Sequence, residues 1–492
     1  MKRPLLLLAC AIVLLAGALR VRHAMQRQSL WSDEAYDFAM VTESDTIGEL
    51  DAKVMRDGHP PLHYWIEWIC YRVGGERALL ERWPHVFLGT AAVGLVMLLA
   101  WRWFGARCAL LTGLLAAHSP YLIYYSAELR SYALLAATAP IFGLAYLRFF
   151  DRRDRRSAIL WGLSAALIAY AHYFGFFAII AGGLWYVAHD RTRGGFRRAA
   201  TAGITFTIAF APWMPAFIWQ LDRDLQPWAT PNTDPVELIR TLKLTASGSG
   251  WLILFASLLA GGVMLYRSRE RRPFFALVVV ALGAGALAWT MQLWRGAWEL
   301  RYLIAYVLLL LPPACVYLSR MGTLGEVTFW RFRLSPRVHG AIGIVLIITL
   351  IGFQWRDRKG WLRKRITPLP ELIEVLGTQG RPSDLIVVGG GWSAPAFLHE
   401  YHGPLAVVAP PHAVEGGRLV RRQFDSPEAR AAAFEEQVEA IGRHLRDGGR
   451  VWILTGGSPI ALADGVEVAR FEPSIYEFHY AQTLTLVAPR NE

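Results

Sequence analysis

The chain has 492 residues, 54% of them hydrophobic, and a formal net charge of +12. That composition excludes a single soluble domain and leaves room for many membrane spans plus an appended domain. The excess of base does not signal nucleic acid, because Lys and Arg fall in short clusters between apolar runs, as orientation signals do.

The first apolar run, Leu5 to Leu19, follows Lys2 and Arg3. Ala16, Gly17 and Ala18 also suit the end of a signal peptide. Val21 and the snorkelling arms of Arg20 and Arg22 extend the run, however, and we read it as an uncleaved first span. Directly after it comes LWSDEAYDFAM at 30–40, with Asp33 and Glu34 adjacent. Carboxylates are too costly to leave in hydrocarbon, so this pair is expected to face water or a polar cavity at the membrane surface, where an acid can meet a lipid-borne substrate. The same residues suit a helix start, with Ser32 and Asp33 as caps and Glu34 in the first turn, so a chemical and a capping role both stand at this level.

Both acids lie in the longest polar excursion of the apolar part, the loop 23–82. Within it Leu62, Trp65, Ile66, Ile69 and Cys70 recur at helical spacing, with Glu67 and Arg72 off that stripe, which predicts an amphipathic helix lying in the interface. Pro60 and Pro61 fit its start, and His59 just before them is a candidate base, ligand or cap.

Ten further apolar runs follow, near 83–101, 108–124, 132–147, 157–171, 174–188, 199–219, 250–266, 273–291, 302–318 and 338–353, which makes about eleven expected transmembrane helices. With a cytoplasmic N-terminus the inner loops carry RFFDRRDRR, DRTRGGFRR and RSRERR, whereas the outer ones hold little beyond Arg130, Arg295 and Arg301. The positive-inside rule then places Asp33, Glu34 and everything after residue 353 on the non-cytoplasmic side. QWRDRKGWLRKR at 354–365 reads as a basic linker, with anionic head groups or plain solvent as its surroundings.

Beyond it the pattern changes. DLIVVGG at 384–390, LAVVAP at 405–410, RVWILTG at 450–456 and QTLTLVAP at 482–489 predict strands, and 427–446 predicts an amphipathic helix, so a small α/β domain is expected. Gly389, Gly390 and Gly391 lack the spacing of a nucleotide-binding loop and read as a strand-to-helix turn. The expected division is a membrane domain over 1–355 and a non-cytoplasmic soluble domain over 356–492. Cys10, Cys70, Cys108 and Cys315 show neither metal-ligand spacing nor a disulfide pattern.

Taken in order, LWSDEA, DGHPPLHYWIEW, SPYLIYYSAELRSYALL, HYFG and LRYL followed by Pro-Pro resemble the lipid-dependent GT-C glycosyltransferases. The nearest branch is the one that contains protein O-mannosyltransferases, the lipid A aminoarabinose transferase and RgtA/B/C/D-like bacterial enzymes. The resemblance spans roughly residues 1–355, and its most specific parts are the acid pair, His-Pro-Pro and Tyr-Ser-x-Glu-x-Arg-x-Tyr at 125–132. Ala127 stands where the family usually has Gln, which removes an amide contact. The resemblance implies a GT-C-type polytopic α-helical membrane protein. It would transfer a sugar from a polyprenyl-phosphate carrier to a lipid, glycan or protein acceptor outside the cytoplasm, in a bacterial inner membrane.

An inverting displacement needs a base for the acceptor proton, which Asp33 supplies while Glu34 orients it or the acceptor. The leaving phosphate needs fixed positive charge, for which Arg130 and Arg301 are candidates, the alternatives being membrane anchoring or pairing with Glu128 or Glu299. His59 and His172 are candidate donor-binding groups, and Tyr125, Tyr132 and Tyr173 either line the carrier path or form an aromatic belt. No cofactor is required. A divalent metal is compatible with the reaction, but neither histidine comes with a complete ligand set. Other classes would share the composition: a flippase of lipid-linked sugars, which would hold its polar residues near the midplane, and an O-antigen ligase or polysaccharide polymerase.

Overall fold

The computed structural model describes residues 3–27, 29–222, 234–245, 248, 250–295, 299–323, 327–329, 332–362, 369–389, 394–410, 413–415, 418–420, 427–455, 465–471 and 483–489. By internal contacts the chain forms two compact units, one of residues 1–26 and 44–362, the other of 27–43 and 363–492.

The first unit is helical apart from one hairpin, β1 (Val327–Phe329) and β2 (Phe332–Leu334). Its helices, numbered along the chain with α2 reserved for the second unit, begin with α1 (Arg3–Ala24), α3 (Ile47–Asp57), α4 (Leu62–Leu80), α5 (Trp83–Phe104), α6 (Ala106–His118), α7 (Pro120–Tyr125) and α8 (Tyr132–Arg152). They continue with α9 (Arg155–Ala171), α10 (Gly175–His189), α11 (Arg193–Phe210), α12 (Met214–Asp222), α13 (Pro235–Thr245), α14 (Gly250–Leu265), α15 (Arg271–Arg295), α16 (Ile304–Arg320) and α17 (Pro336–Leu362).

Every expected apolar run falls on helix, but fewer helices than expected are long enough to span. Among the described residues seven qualify by length and composition, and eight if α13 and α14, bent by 88°, form one broken span. The run 108–124 breaks at Ser119, whose hydroxyl accepts from Leu122 N–H while Pro120 opens the next helix, leaving α6 with 13 residues. α9 and α10 have 17 and 15 residues because the chain leaves the helix at His172. These helices make the protein an integral membrane protein.

α8 and α16 are the central helices, with 72% and 78% of their apolar windows buried, against 22% for α1 and α17. The expected linker after residue 353 is instead the last two turns of α17, where basic side chains suit the negative end of a helix. Residues 363–365 of that stretch lie outside the described residues.

The second unit joins α2 (Ser32–Thr42) to α18 (Leu369–Gln379), α19 (Ala394–Glu400), α20 (Pro427–Arg446), the hairpin β5 (Ala413–Glu415) and β6 (Arg418–Val420), and a five-stranded sheet. The sheet order is β4-β3-β7-β9-β8, from β3 (Leu385–Gly389), β4 (Ala406–Val408), β7 (Val451–Thr455), β8 (Gly465–Phe471) and β9 (Thr483–Pro489). β3 pairs parallel with β4 and β7, whereas β9 pairs antiparallel with β7 and β8. Val387, Val451, Ile453 and Val487 form a core with Ile441 and Leu445 of α20. The sequence pattern missed α18, α19 and the edge strand β8, whose residues are mostly exposed. Gly390 and Gly391 lie outside the described residues.

Candidate active site

α3 ends at Gly58, whose φ of 94° is left-handed backbone that a glycine adopts without a Cβ clash. That turn brings Asp57 and His59 together, with His59 Nδ1 2.7 Å from the Asp57 carboxylate. The Tyr64 hydroxyl donates to the same carboxylate at 2.8 Å. Burial alone would raise the Asp57 pKa, but the His59 hydrogen bond, the charge of Arg130 and the Tyr64 hydroxyl outweigh it and bring the group down to about 2.

Arg130 Nη2 lies 3.1 Å from His59 Nε2. Arginine can only donate, so Nε2 is the acceptor and Nδ1 carries the proton given to Asp57, which fixes the tautomer. The relay therefore runs from Asp57 through His59 to Arg130. Gln220 of α12 holds the turn from behind, donating to the carbonyls of Val54 at 3.1 Å and Met55 at 3.0 Å. Tyr173 donates to Gln220 and accepts from Trp213 Nε1 at 2.8 Å, so it belongs to this supporting net.

The segment 126–131, between α7 and α8, is buried throughout. It is pinned by Arg20 Nε on Ser126 Oγ at 3.1 Å and by Arg82 Nη1 on the Ala127 carbonyl at 2.8 Å. This pinning delivers Arg130 and Glu128 to the start of α8. Glu128 is buried within electrostatic reach of Tyr125 and Tyr132. Tyr125 and Tyr132 pack edge-on with centroids 5.5 Å apart.

The break between α9 and α10 places His172 against the same group, 6.2 Å from the His59 ring and 4.8 Å from that of Tyr302, measured between centroids. Its Nδ1 accepts the Phe174 backbone N–H at 3.2 Å. Burial first, then the neighbouring cations, hold its pKa well below the usual imidazole value, so His172 is neutral and carries its proton on Nε2. Arg301 lies over Tyr132 at 5.7 Å and over Tyr302 at 5.8 Å, and approaches Glu299 at 4.0 Å. The first unit thus gathers Arg130, Arg301, His59, His172, Glu128, Tyr125 and Tyr132 around the starts of α8 and α16, the most buried of the candidate spans. Cations, one N–H donor and two helix N-termini meet there, as an anion requires.

Asp33 and Glu34 belong to the second unit, on the first turn of α2. The helix starts one residue earlier than the expected caps, with Trp31 at the N-cap and Ser32 already helical. Glu34 is buried, accepts the Trp31 N–H at 3.4 Å and pairs with Arg27 at 3.5 Å. Asp33 is half-buried and so keeps access to solvent.

Sequence reasoning missed Asp57, Tyr302 and Gln220, and it read Glu67 only as lying off the apolar stripe of its helix. α4 is kinked at Gly75 and exposes Val73 at 85%, with Phe87 of α5 at 73%, while Glu67 is wholly buried. Glu67 lies 3.4 Å from His63 Nε2 and 3.2 Å from His85 Nε2.

Residues 58–219 match the family model of the dolichyl-phosphate-mannose-protein mannosyltransferases. The crystal structure of ArnT from Cupriavidus metallidurans bound to undecaprenyl phosphate superposes with a TM-score of 0.60 at 14% identity, covering 99% of this chain and 98% of that one. The fold is that of ArnT. The apo state of the same ArnT gives a TM-score of 0.59 at 15% identity, covering 97% of each chain. Comparison with curated protein sequences gives no significant match. The matched residues 58–219 contain His59, Glu128, Arg130 and His172.

Proposed function

We propose that the protein is an inverting glycosyltransferase that moves a sugar from a polyprenyl-phosphate carrier to a lipid, glycan or protein acceptor on the non-cytoplasmic face of a bacterial inner membrane. The observation that carries this reading is the half-buried Asp57–His59–Arg130 relay beside His172. It is a receptor organised in advance for the charge that develops on a leaving phosphate. Arg130 offers the fork that fits phosphate oxygens, His172 Nε2–H a further donor and Arg301 a second cation. The mannosyltransferase family match and the undecaprenyl phosphate bound by ArnT support a lipid-phosphate donor.

Asp33 takes the acceptor proton as the acceptor oxygen attacks the anomeric carbon and the carrier phosphate departs. Glu34, committed to Arg27 and to its own helix start, keeps that turn in place. The reaction so drawn needs no cofactor. With α6–α7, α9, α10 and the bent α13–α14 pair each counted as one crossing, the described residues hold eleven spans, and on that count the positive-inside rule sets Asp33 outside.

Mass spectra of lipids and glycans from cells with and without the protein test the reading. A sugar mass present only with the protein is expected, and its carrier names the acceptor class. Identical covalent products, with lipid-linked sugar merely redistributed across the membrane, would instead indicate a flippase.

A further inference from the structure

We propose that His63, Glu67 and His85 form a zinc site that ties the first turns of α4 to the start of α5. Among the described residues this is the one group of three such side chains whose ligating atoms all lie within 4.8 Å of one another. All three are buried, at 4%, 0% and 1% exposure. Two imidazoles and one carboxylate are the donor set of a borderline divalent ion, and zinc takes it with one further position left for water.

The placement of the donors carries the proposal. His63 Nε2 stands 3.4 Å from one Glu67 oxygen and His85 Nε2 3.2 Å from the other, so the carboxylate lies between two imidazoles that both turn Nε2 toward it. Two ligands of one tetrahedral zinc, each at about 2.0–2.2 Å, stand about 3.3–3.5 Å apart, so small side-chain shifts bring the three onto one ion. The pairing follows from the chain: His63 and Glu67 are four apart on one face of α4, and His85 enters one residue after the Pro84 that opens α5.

Around this group stand Arg130, which acts on both His63 and Glu67, and His59, which acts on His63. A zinc here would act as a staple. Pro60 and Pro61 separate His63 from His59, so fixing α4 also fixes the turn that presents His59 to Arg130.

The test uses the full chain purified in detergent and dialysed against metal-free buffer. Elemental analysis should return about one zinc per chain, and cobalt added to the stripped protein should give the visible absorption of a tetrahedral site that zinc then abolishes. His85→Asn and Glu67→Gln should each weaken zinc binding by more than about a hundredfold. If a variant fails to fold, the cobalt titration of the wild-type chain still decides. No zinc above the level in a soluble control, together with no cobalt band, would overturn the site and leave a hydrogen-bonded His–Glu–His group. Neither readout depends on sugar transfer, so this outcome and that of the proposed transferase activity are separable.

Discussion

Arg130 receives its orientation from an imidazole that is itself oriented by a carboxylate, and each link can be broken singly. Arg130→Lys keeps the charge but gives up the planar fork. Affinity for polyprenyl phosphate should fall by roughly ten- to a hundredfold, on the order of 1.5–3 kcal/mol, with expression unchanged. A lysine variant that binds the lipid phosphate as well as wild type would make Arg130 an anchor in the interface. Asp57→Asn removes the charge that holds His59. Because the folded-state pKa of Asp57 is depressed from 3.8 to about 2, its contribution to stability is complete above the ordinary carboxylate value and is lost as pH falls through about 2. Thermal melts across acid pH should therefore show the variant less stable than wild type at neutral pH, with the gap closing toward pH 2. A constant gap would mean that the carboxylate's charge is not what the site uses.

At the scale of elements, α5 must come close to the segment that carries Arg130. A Cβ on Gly89 would stand 2.2 Å from Ser126 Oγ and 3.1 Å from Arg20 Nε. Gly89→Ala should therefore cost about 1–3 kcal/mol of stability by overpacking and, by displacing residues 126–131, weaken lipid-phosphate binding. Melting temperature and affinity measured on the same preparation check both parts, and a drop in melting temperature alone would separate packing from binding. Much of this neighbourhood was legible in the sequence, because the Tyr-Ser-x-Glu-x-Arg-x-Tyr segment and His-Pro-Pro are local strings. Asp57 was not, since its link to His59 depends on the left-handed backbone of Gly58, and Gln220 reaches the turn from 161 positions away. The burial of Glu67 was not legible for a physical reason. A helical pattern tells which residues differ from their neighbours but not which side meets water, and in a membrane the apolar side is the outer one.

For the whole molecule, apolar runs marked the helices well and their lengths less well, because Ser119–Pro120 and His172 shorten helices in ways that composition does not register. Orientation rests on charge. In a background without the four native cysteines, single cysteines near Glu43 and near Asn232 should react with an impermeant thiol reagent in intact cells, and one near Arg153 should not. Reaction near Arg153 would reverse the orientation and move Asp33 to the cytoplasm. The acid pair is carried by residues 27–43, which group with the C-terminal sheet unit, an association that no local pattern announced. Whether Asp33 is the base is decided most directly by the release of polyprenyl phosphate from the cognate sugar donor by purified Asp33→Asn and wild-type protein at matched donor occupancy. Asparagine suits the helix start as well as aspartate but cannot take a proton, so release should fall by about 10²–10⁴-fold with donor affinity unchanged. Release at the wild-type rate would contradict the assignment.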